Sequence, residues 1–247
     1  MIALRTEGSS RSSDSVSQDW LTQVRAFAQK IACDLGKQFG QLDFTLADTD
    51  TVCEDNAVDM LVFTCQNNNH DIQQILNASR NLRIPYIILT PCMTIRPIEK
   101  GDNILIPVTM FEEELSKAEI ATSFGRFCGT HTTLLQANDY GTRAEKNIGK
   151  ITTLIEKFNL PYTVTKGSKD SYRVELEAAI NQPEHQQKHQ PSLADAGKAT
   201  RLLVITASRD YGLDDLIFGP KERKIIKKAA IPVLLLNPRG DLYSLCD

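Results

Sequence analysis

The stretch RLLVITASRDYGLDDLIFGPKERKIIKKAAIPVLLL, residues 201–236, decides the fold class. It begins with the apolar run 202–206, continues through a glycine-containing loop into the amphipathic segment 221–229, and ends with the apolar run 232–236. Short continuous apolar runs are typical of strands that helices cover on both faces of a sheet. The stretch therefore predicts a strand, a helix and a second strand parallel to the first.

The preceding hundred residues show the same alternation. NILIPV (Asn103–Val108) predicts a buried strand. Glu112, Glu113 and Glu114 follow it and favour the N-terminus of a helix that extends to Gly129. Further segments continue the pattern, with strands at 131–137 and 162–165 and helices at 144–158 and 172–180. This alternation predicts an α/β fold with a parallel sheet.

The first hundred residues are typical of a shortened version of the same plan. They predict strands at 1–4, 42–47, 58–64 and 85–89 and helices at 20–39 and 72–82. Segment 58–64 matches 201–206, and 85–89 matches 232–236, which indicates a tandem repeat whose first copy lacks its middle helix and strand. We predict domains at 1–98 and 99–240, the second with a polar insertion at 181–199. Two unrelated α/β halves are the alternative.

Composition excludes several classes of protein. The 247 residues include 28 Lys and Arg against 31 Asp and Glu, a net charge of −3, which argues against nucleic acid as a partner. No apolar stretch approaches the roughly 18 to 20 residues of a membrane span. The start of the chain has no secretory signal pattern, so we expect a cytoplasmic protein. The six cysteines have no C-x-x-C spacing, which favours free thiols.

ILIPV (104–108), TLLQA (133–137) and the stretch 201–236 together resemble the universal stress protein family. The resemblance implies two tandem, doubly wound parallel-sheet domains of the Rossmann-like, adenine nucleotide alpha hydrolase-like type, the first truncated and degenerate. In the family, the last strands of two domains pair across a two-fold axis. The resemblance thus implies that 85–89 faces 232–236 as a pseudo-dimer within the chain, and it leaves a further homodimer open.

Nucleotide-binding members of the family carry a loop of the form G-x2-G-x9-G-[S/T], in which glycines let the backbone approach phosphates. That spacing falls here on Thr206, Arg209, Gly219 and Pro220, so one glycine remains and the proline lacks an N–H donor. The family's acidic residue at the end of the first strand is Thr109 in this sequence. The resemblance therefore implies a degenerate nucleotide site without a bound cofactor, formed by Val108, Thr109, Thr206, Arg209 and Gly219.

These departures favour a non-enzymatic, stress-associated regulatory or binding protein without a catalytic residue. One alternative is a sensor that still binds ATP or AMP at the five site positions. A second is an enzyme of a related nucleotide-using fold, although the H-x-G-H and S-G-G-x-D-S signatures of such enzymes do not occur.

Two further patterns have ordinary explanations. His185 and His189 are four residues apart, the spacing of two metal ligands on a helix, but they lie in a glutamine-rich segment that favours a solvated loop. The basic residues after Gly219 favour the solvent face of a helix, with a site for an anion or an acidic partner as the alternative: Lys221, Arg223, Lys224, Lys227 and Lys228. We predict no metal site.

Overall fold

The computed structural model describes residues 1–6, 18–65, 68–180, 199–207 and 220–238. Nine strands in these segments form one sheet: β1 (Ile2–Thr6), β2 (Phe39–Asp43), β3 (Met60–Thr64), β4 (Tyr86–Leu89), β5 (Asn103–Val108), β6 (His131–Gln136), β7 (Tyr162–Lys166), β8 (Thr200–Thr206) and β9 (Val233–Leu236). The helices described are α1 (Gln18–Asp34), α2 (Thr49–Asp55), α3 (Asn69–Ala78), α4 (Ser116–Phe127), α5 (Arg143–Lys157), α6 (Val174–Ile180) and α7 (Lys221–Lys228). Single 3-10 turns at Leu46–Asp48 and Glu112–Leu115 precede α2 and α4.

The strand order is β2-β1-β3-β4-β9-β8-β5-β6-β7. Neighbouring strands are parallel except β4 and β9, which pair antiparallel with Tyr86 opposite Leu235 and Ile88 opposite Val233. We call this pairing the seam. It joins the two segments that the family resemblance implies to face each other. The predicted α/β fold with a mostly parallel sheet is confirmed.

The two halves of the sheet have related strand orders. Outward from the seam, the first half has the order β4, β3, β1, β2 and the second half has β9, β8, β5, β6. In each half the last strand comes first, followed by the strand before it, and then by the first and second strands of that half. The second half adds β7 at the edge. The sheet is continuous across the boundary predicted between residues 98 and 99, so the division into domains 1–98 and 99–240 stays a prediction, as does the tandem repeat.

The hydrophobic core extends through both halves. Every residue of β4 and of β9 is buried, and buried apolar side chains from Ile2 to Leu236 form one connected cluster. Asn237, just after β9, adds a polar connection across the seam. Its Nδ2 donates hydrogen bonds to Ser79 O at 2.6 Å and Leu82 O at 2.9 Å, beyond the C-terminal end of α3. The seam is therefore part of the core.

In the first half, the structure differs from the predicted boundaries and contains an additional helix. Helix α1 ends at Asp34 rather than at 39, because Gly36 adopts a φ of +64°, a left-handed conformation that commonly ends helices. The following strand is Phe39–Asp43 rather than 42–47, and the chain then turns through Leu46–Asp48. Helix α2 was not predicted; its short sequence is mostly polar, and it buries only Thr49 and Cys53.

Several other predictions concern cysteines, membrane spans and metals. The five cysteines in the described segments are free thiols, and Cys246 lies outside them. No helix in these segments is both long and apolar enough to cross a membrane. The same segments hold no group of three potential metal ligands. His185, His189 and nearly all of the predicted insertion 181–199 lie outside the described residues.

Candidate functional site

The sheet topology indicates where a ligand would bind. From β5 the chain continues to β6 and β7 on one side, and it then returns to β8 on the other side. In open α/β sheets, the space at the carboxyl ends of two such strands is the usual ligand position. We call this space the crevice. Val108 and Thr109 lie at the end of β5 and Thr206 at the end of β8, all buried, whereas Arg209 and Gly219 lie outside the described residues.

A single carboxylate connects the two strand ends. Glu114 lies in the 3-10 turn that precedes α4. Its Oε2 accepts a hydrogen bond from Thr109 N–H at 3.2 Å, and its Oε1 accepts one from the Thr206 hydroxyl at 3.3 Å. The structure therefore brings three of the five predicted site positions together, but around a side chain of the protein.

A lysine lies beside this carboxylate. The Lys117 ammonium, from the first turn of α4, donates to Pro107 O at 2.7 Å and to Glu114 Oε2 at 2.7 Å. A third, longer hydrogen bond of 3.4 Å goes to Glu175 Oε1. The Lys117 side chain has 0% exposure to solvent, so its three donors are directed to protein acceptors.

Glu175, in the first turn of α6, completes the arrangement. Its Oε1 also accepts a hydrogen bond from Thr206 N–H at 3.3 Å. Its Oε2 lies 2.9 Å from the ammonium of Lys221, the first residue of α7, whose side chain is 34% exposed. We refer to Glu114, Lys117, Glu175 and Lys221 as the buried charge cluster, although Lys221 lies at its solvent side.

Opposite charges in the cluster favour the charged forms of Glu175 and Lys221. Burial alone would raise the pKa of Glu175, but the positive charges of Lys221 and Lys117 outweigh burial and hold that pKa below its ordinary value. Burial alone would lower the pKa of Lys221, but Glu175 and then Glu222 outweigh it and raise that pKa. At Glu175 and at Lys221, attraction between opposite charges therefore outweighs the cost of burial.

Among the residues that the structure describes, this arrangement leaves little at the crevice for a phosphate. The backbone N–H groups of Thr109 and Thr206, the donors at the two strand ends, are bonded to Glu114 and Glu175. An incoming phosphate would also meet the negative charge of these two carboxylates. The cluster thus occupies the position where the fold usually holds an anionic ligand.

The loops beside the crevice are fixed by buried polar side chains. Asn147 of α5 donates from Nδ2 to Thr109 O at 2.9 Å and to Phe111 O at 2.8 Å. Met110 N–H donates to Ser171 Oγ at 2.9 Å, and Ser171 in turn bonds the Asp139 carboxylate. Loops that follow β5, β6 and β7 are therefore joined to each other.

Sequence reasoning missed the cluster, although a signal was present. Lys117 stands three and four residues before the buried pair 120–121, and Glu175 stands at the same spacing before 178–179. This spacing places each charge on the inward face of its helix. The prediction that Glu114 serves only the N-terminus of a helix was incomplete, because its carboxylate bonds Lys117.

The basic helix α7 also differs from the prediction in part. Lys221 pairs with Glu175 instead of lying only on a solvent face. Lys224, Lys227 and Lys228 are exposed, as the sequence predicts.

Comparisons with known proteins identify the fold. No family model matches the chain, and no curated protein matches it. Among crystal structures, the chain is similar to a protein of Pseudomonas aeruginosa UCBPP-PA14 that is assigned to the universal stress proteins. The two sequences are 13% identical, the match covers 99% of this chain and 95% of that chain, and the TM-score is 0.53. It is similar to a universal stress protein of Archaeoglobus fulgidus DSM 4304, with 10% identity, 95% and 84% covered, and a TM-score of 0.56. The chain therefore has the universal stress protein fold.

Proposed function

We propose that this chain is a non-enzymatic universal stress protein, a cytoplasmic regulatory or binding protein that does not bind ATP in the crevice. One observation supports this proposal above all others. The Lys117 ammonium lies fully buried between a backbone carbonyl and two carboxylates, in the space at the ends of β5 and β8. The protein's own charges take the place of a ligand's charges.

Nucleotide binding at this position would require the cluster to open. Phosphate oxygens would have to displace Glu114 or Glu175 from the N–H groups of Thr109 and Thr206, which would disturb the buried ion pairs that these carboxylates form with Lys117. Breaking a buried ion pair costs about 3 to 5 kcal/mol. Such a penalty weakens binding by roughly two to four powers of ten, so a dissociation constant of about 1 μM would rise to about 0.1 to 10 mM.

The proposal assigns no catalytic residue and no cofactor. A general acid or base must exchange a proton with a substrate. In the described part of the chain, the buried acids and bases of the crevice are instead bonded to each other and to the backbone. This supports a binding role over an enzymatic one.

The proposal includes a tandem origin for the two halves. The shared succession of strands outward from the seam supports it, and so does the extra strand β7, which corresponds to the strand that the sequence indicates as missing from the first half. The first half would then be the degenerate copy.

A thermal-shift measurement with ATP and with AMP, each with Mg²⁺, tests the proposal. A ligand that binds the native state raises the melting temperature by mass action. We expect no shift beyond that given by inorganic phosphate at the same ionic strength. A specific shift with either nucleotide would contradict the proposal in favour of a nucleotide sensor, and ATP turnover would favour an enzyme.

A further inference from the structure

Strand β7 is an open edge of the sheet. It is the last strand in the order, and its residues 163–166 are all exposed. Among the segments that the structure describes, only β6 pairs with it. Edge strands with free backbone groups readily pair with another strand.

Hydrogen bonds at the two ends of β7 show which backbone groups point outward. Thr132 N–H donates to Pro161 O at 3.1 Å, and Gly167 N–H donates to Gln136 O at 2.7 Å. In a parallel ladder, alternate residues bond a given neighbour, so the odd-numbered residues 161–167 bond β6. Tyr162, Val164 and Lys166 therefore direct their N–H and C=O groups away from the sheet.

We propose that two copies of the chain pair antiparallel through β7, with the two-fold axis at Val164. In this register Val164 lies opposite Val164 of the second copy, and Tyr162 lies opposite Lys166. Each of the three outward-directed residues then forms a hydrogen-bonded pair of the antiparallel type. If one strand is shifted along the other, some of the outward N–H and C=O groups of Tyr162, Val164 and Lys166 have no partner in the second copy.

In this register, the side chains of β7 are complementary to those of β7 in the second copy. Tyr162, Val164 and Lys166 project on one face of the sheet, because side chains alternate along a strand. The Tyr162 hydroxyl donates to Glu156 Oε1 at 2.5 Å, which places a carboxylate of α5 beside this row. Lys166 has no ion pair with another described residue, and in the dimer it lies beside Tyr162 and Glu156 of the second copy.

Symmetry produces this opposite-charge contact twice, and the two Lys166 side chains lie at opposite ends of the paired strands. Opposite-charge pairs across an antiparallel ladder are stabilising, whereas like charges are destabilising. Charge complementarity therefore favours a second copy of this chain as the occupant of the edge. The seam is already an antiparallel junction between two parallel half-sheets, so the dimer repeats a junction that the chain itself contains.

Charge reversal tests the register. Sedimentation of the full-length chain over a wide concentration range should show a monomer–dimer equilibrium. Lys166→Glu alone, or Glu156→Lys alone, should raise the dimer dissociation constant by about tenfold or more, since each reversal turns two attractive contacts into repulsive ones. The double variant should restore the wild-type constant.

A proline variant tests the backbone contacts. Val164→Pro removes an N–H that points away from β6, and edge strands tolerate proline at such positions. Dimerisation should be lost while the far-UV circular dichroism stays native, and the control Val164→Thr, which keeps the N–H, should dimerise. A wild-type monomer at all concentrations would overturn the proposal, as would a dimer that is equally strong in every variant.

Discussion

The Lys117 ammonium lies 2.7 Å from Glu114 Oε2, and neither side chain is more than 2% exposed. A lysine in the first turn of a helix is disfavoured by the helix dipole, so Lys117 depends on its carboxylate partners. These two residues therefore place opposite charges of the protein itself at the ends of β5 and β8. The account of function depends on this contact.

Removal of the buried ammonium should destabilise the protein strongly. Lys117→Met leaves Glu114 and Glu175 without their shared partner in the interior, and we expect a loss of about 3 to 5 kcal/mol in the free energy of unfolding. Urea denaturation measures this loss. The control Lys150→Met, at an exposed position of α5, should change the free energy by less than about 0.5 kcal/mol. A similarly small effect of Lys117→Met would show that the cluster contributes little.

Acid should weaken the protein through Glu175. Its pKa lies below the ordinary value of 4.5, because Lys221 and Lys117 outweigh the opposing effect of burial. The stabilisation is therefore complete above pH 4.5 and is lost as the pH falls from that value toward the lowered pKa. In Glu175→Gln this contribution is absent, so urea midpoints should fall less between neutral and acid pH than in the wild type. If the urea midpoint fell equally with pH in the two proteins, the assignment of this acid sensitivity to Glu175 would be contradicted.

The polar connection at the seam should be sensitive to charge. Asn237→Asp replaces the amide that donates to Ser79 O and Leu82 O with a carboxylate that repels both. We expect a loss of about 1 to 3 kcal/mol, measured by urea denaturation. Asn77→Asp is the matched control, since Asn77 Oδ1 accepts from Gln73 Nε2 and an aspartate still accepts. Equal losses in both variants would show that the Asn237 amide has no special role.

The two halves should unfold together, because one core crosses the seam. Trp20 is the only tryptophan, so its fluorescence reports the first half. A probe of the second half is obtained by Trp20→Phe combined with Phe158→Trp, at a site that is 41% exposed. The urea midpoints of each protein should coincide with its own circular dichroism midpoint. Separate midpoints would instead support independent domains 1–98 and 99–240.

The fold was predictable from sequence because its signals are local. Apolar runs such as Asn103–Val108 are long enough to specify a strand, whereas the pairing of 85–89 with 232–236 was implied by the resemblance to the universal stress protein family. Predictions were wrong where elements are short or polar: α2 buries two side chains, and the end of α1 depends on the conformation of Gly36.

The candidate site was predictable only in position. Thr109 and Thr206 lie at the crevice as expected, since strand ends follow from the alternation of elements. Glu114 and Lys117 are three residues apart, a spacing that allows an ion pair. Glu175 lies 58 residues beyond Lys117, so no local pattern shows that it joins them. Their inward helical spacing indicates burial, but only the tertiary structure shows the partners.

The most direct test of the closed crevice is a titration of the isotope-labelled protein with Mg·ATP, followed through the backbone amide signals of Thr109 and Thr206. These amides donate to Glu114 and Glu175, so any nucleotide that enters between β5 and β8 must disturb them. We predict that both signals stay unchanged at micromolar ATP, because opening the cluster weakens binding to about 0.1 to 10 mM. Saturable shifts of both signals at micromolar ATP would contradict the account.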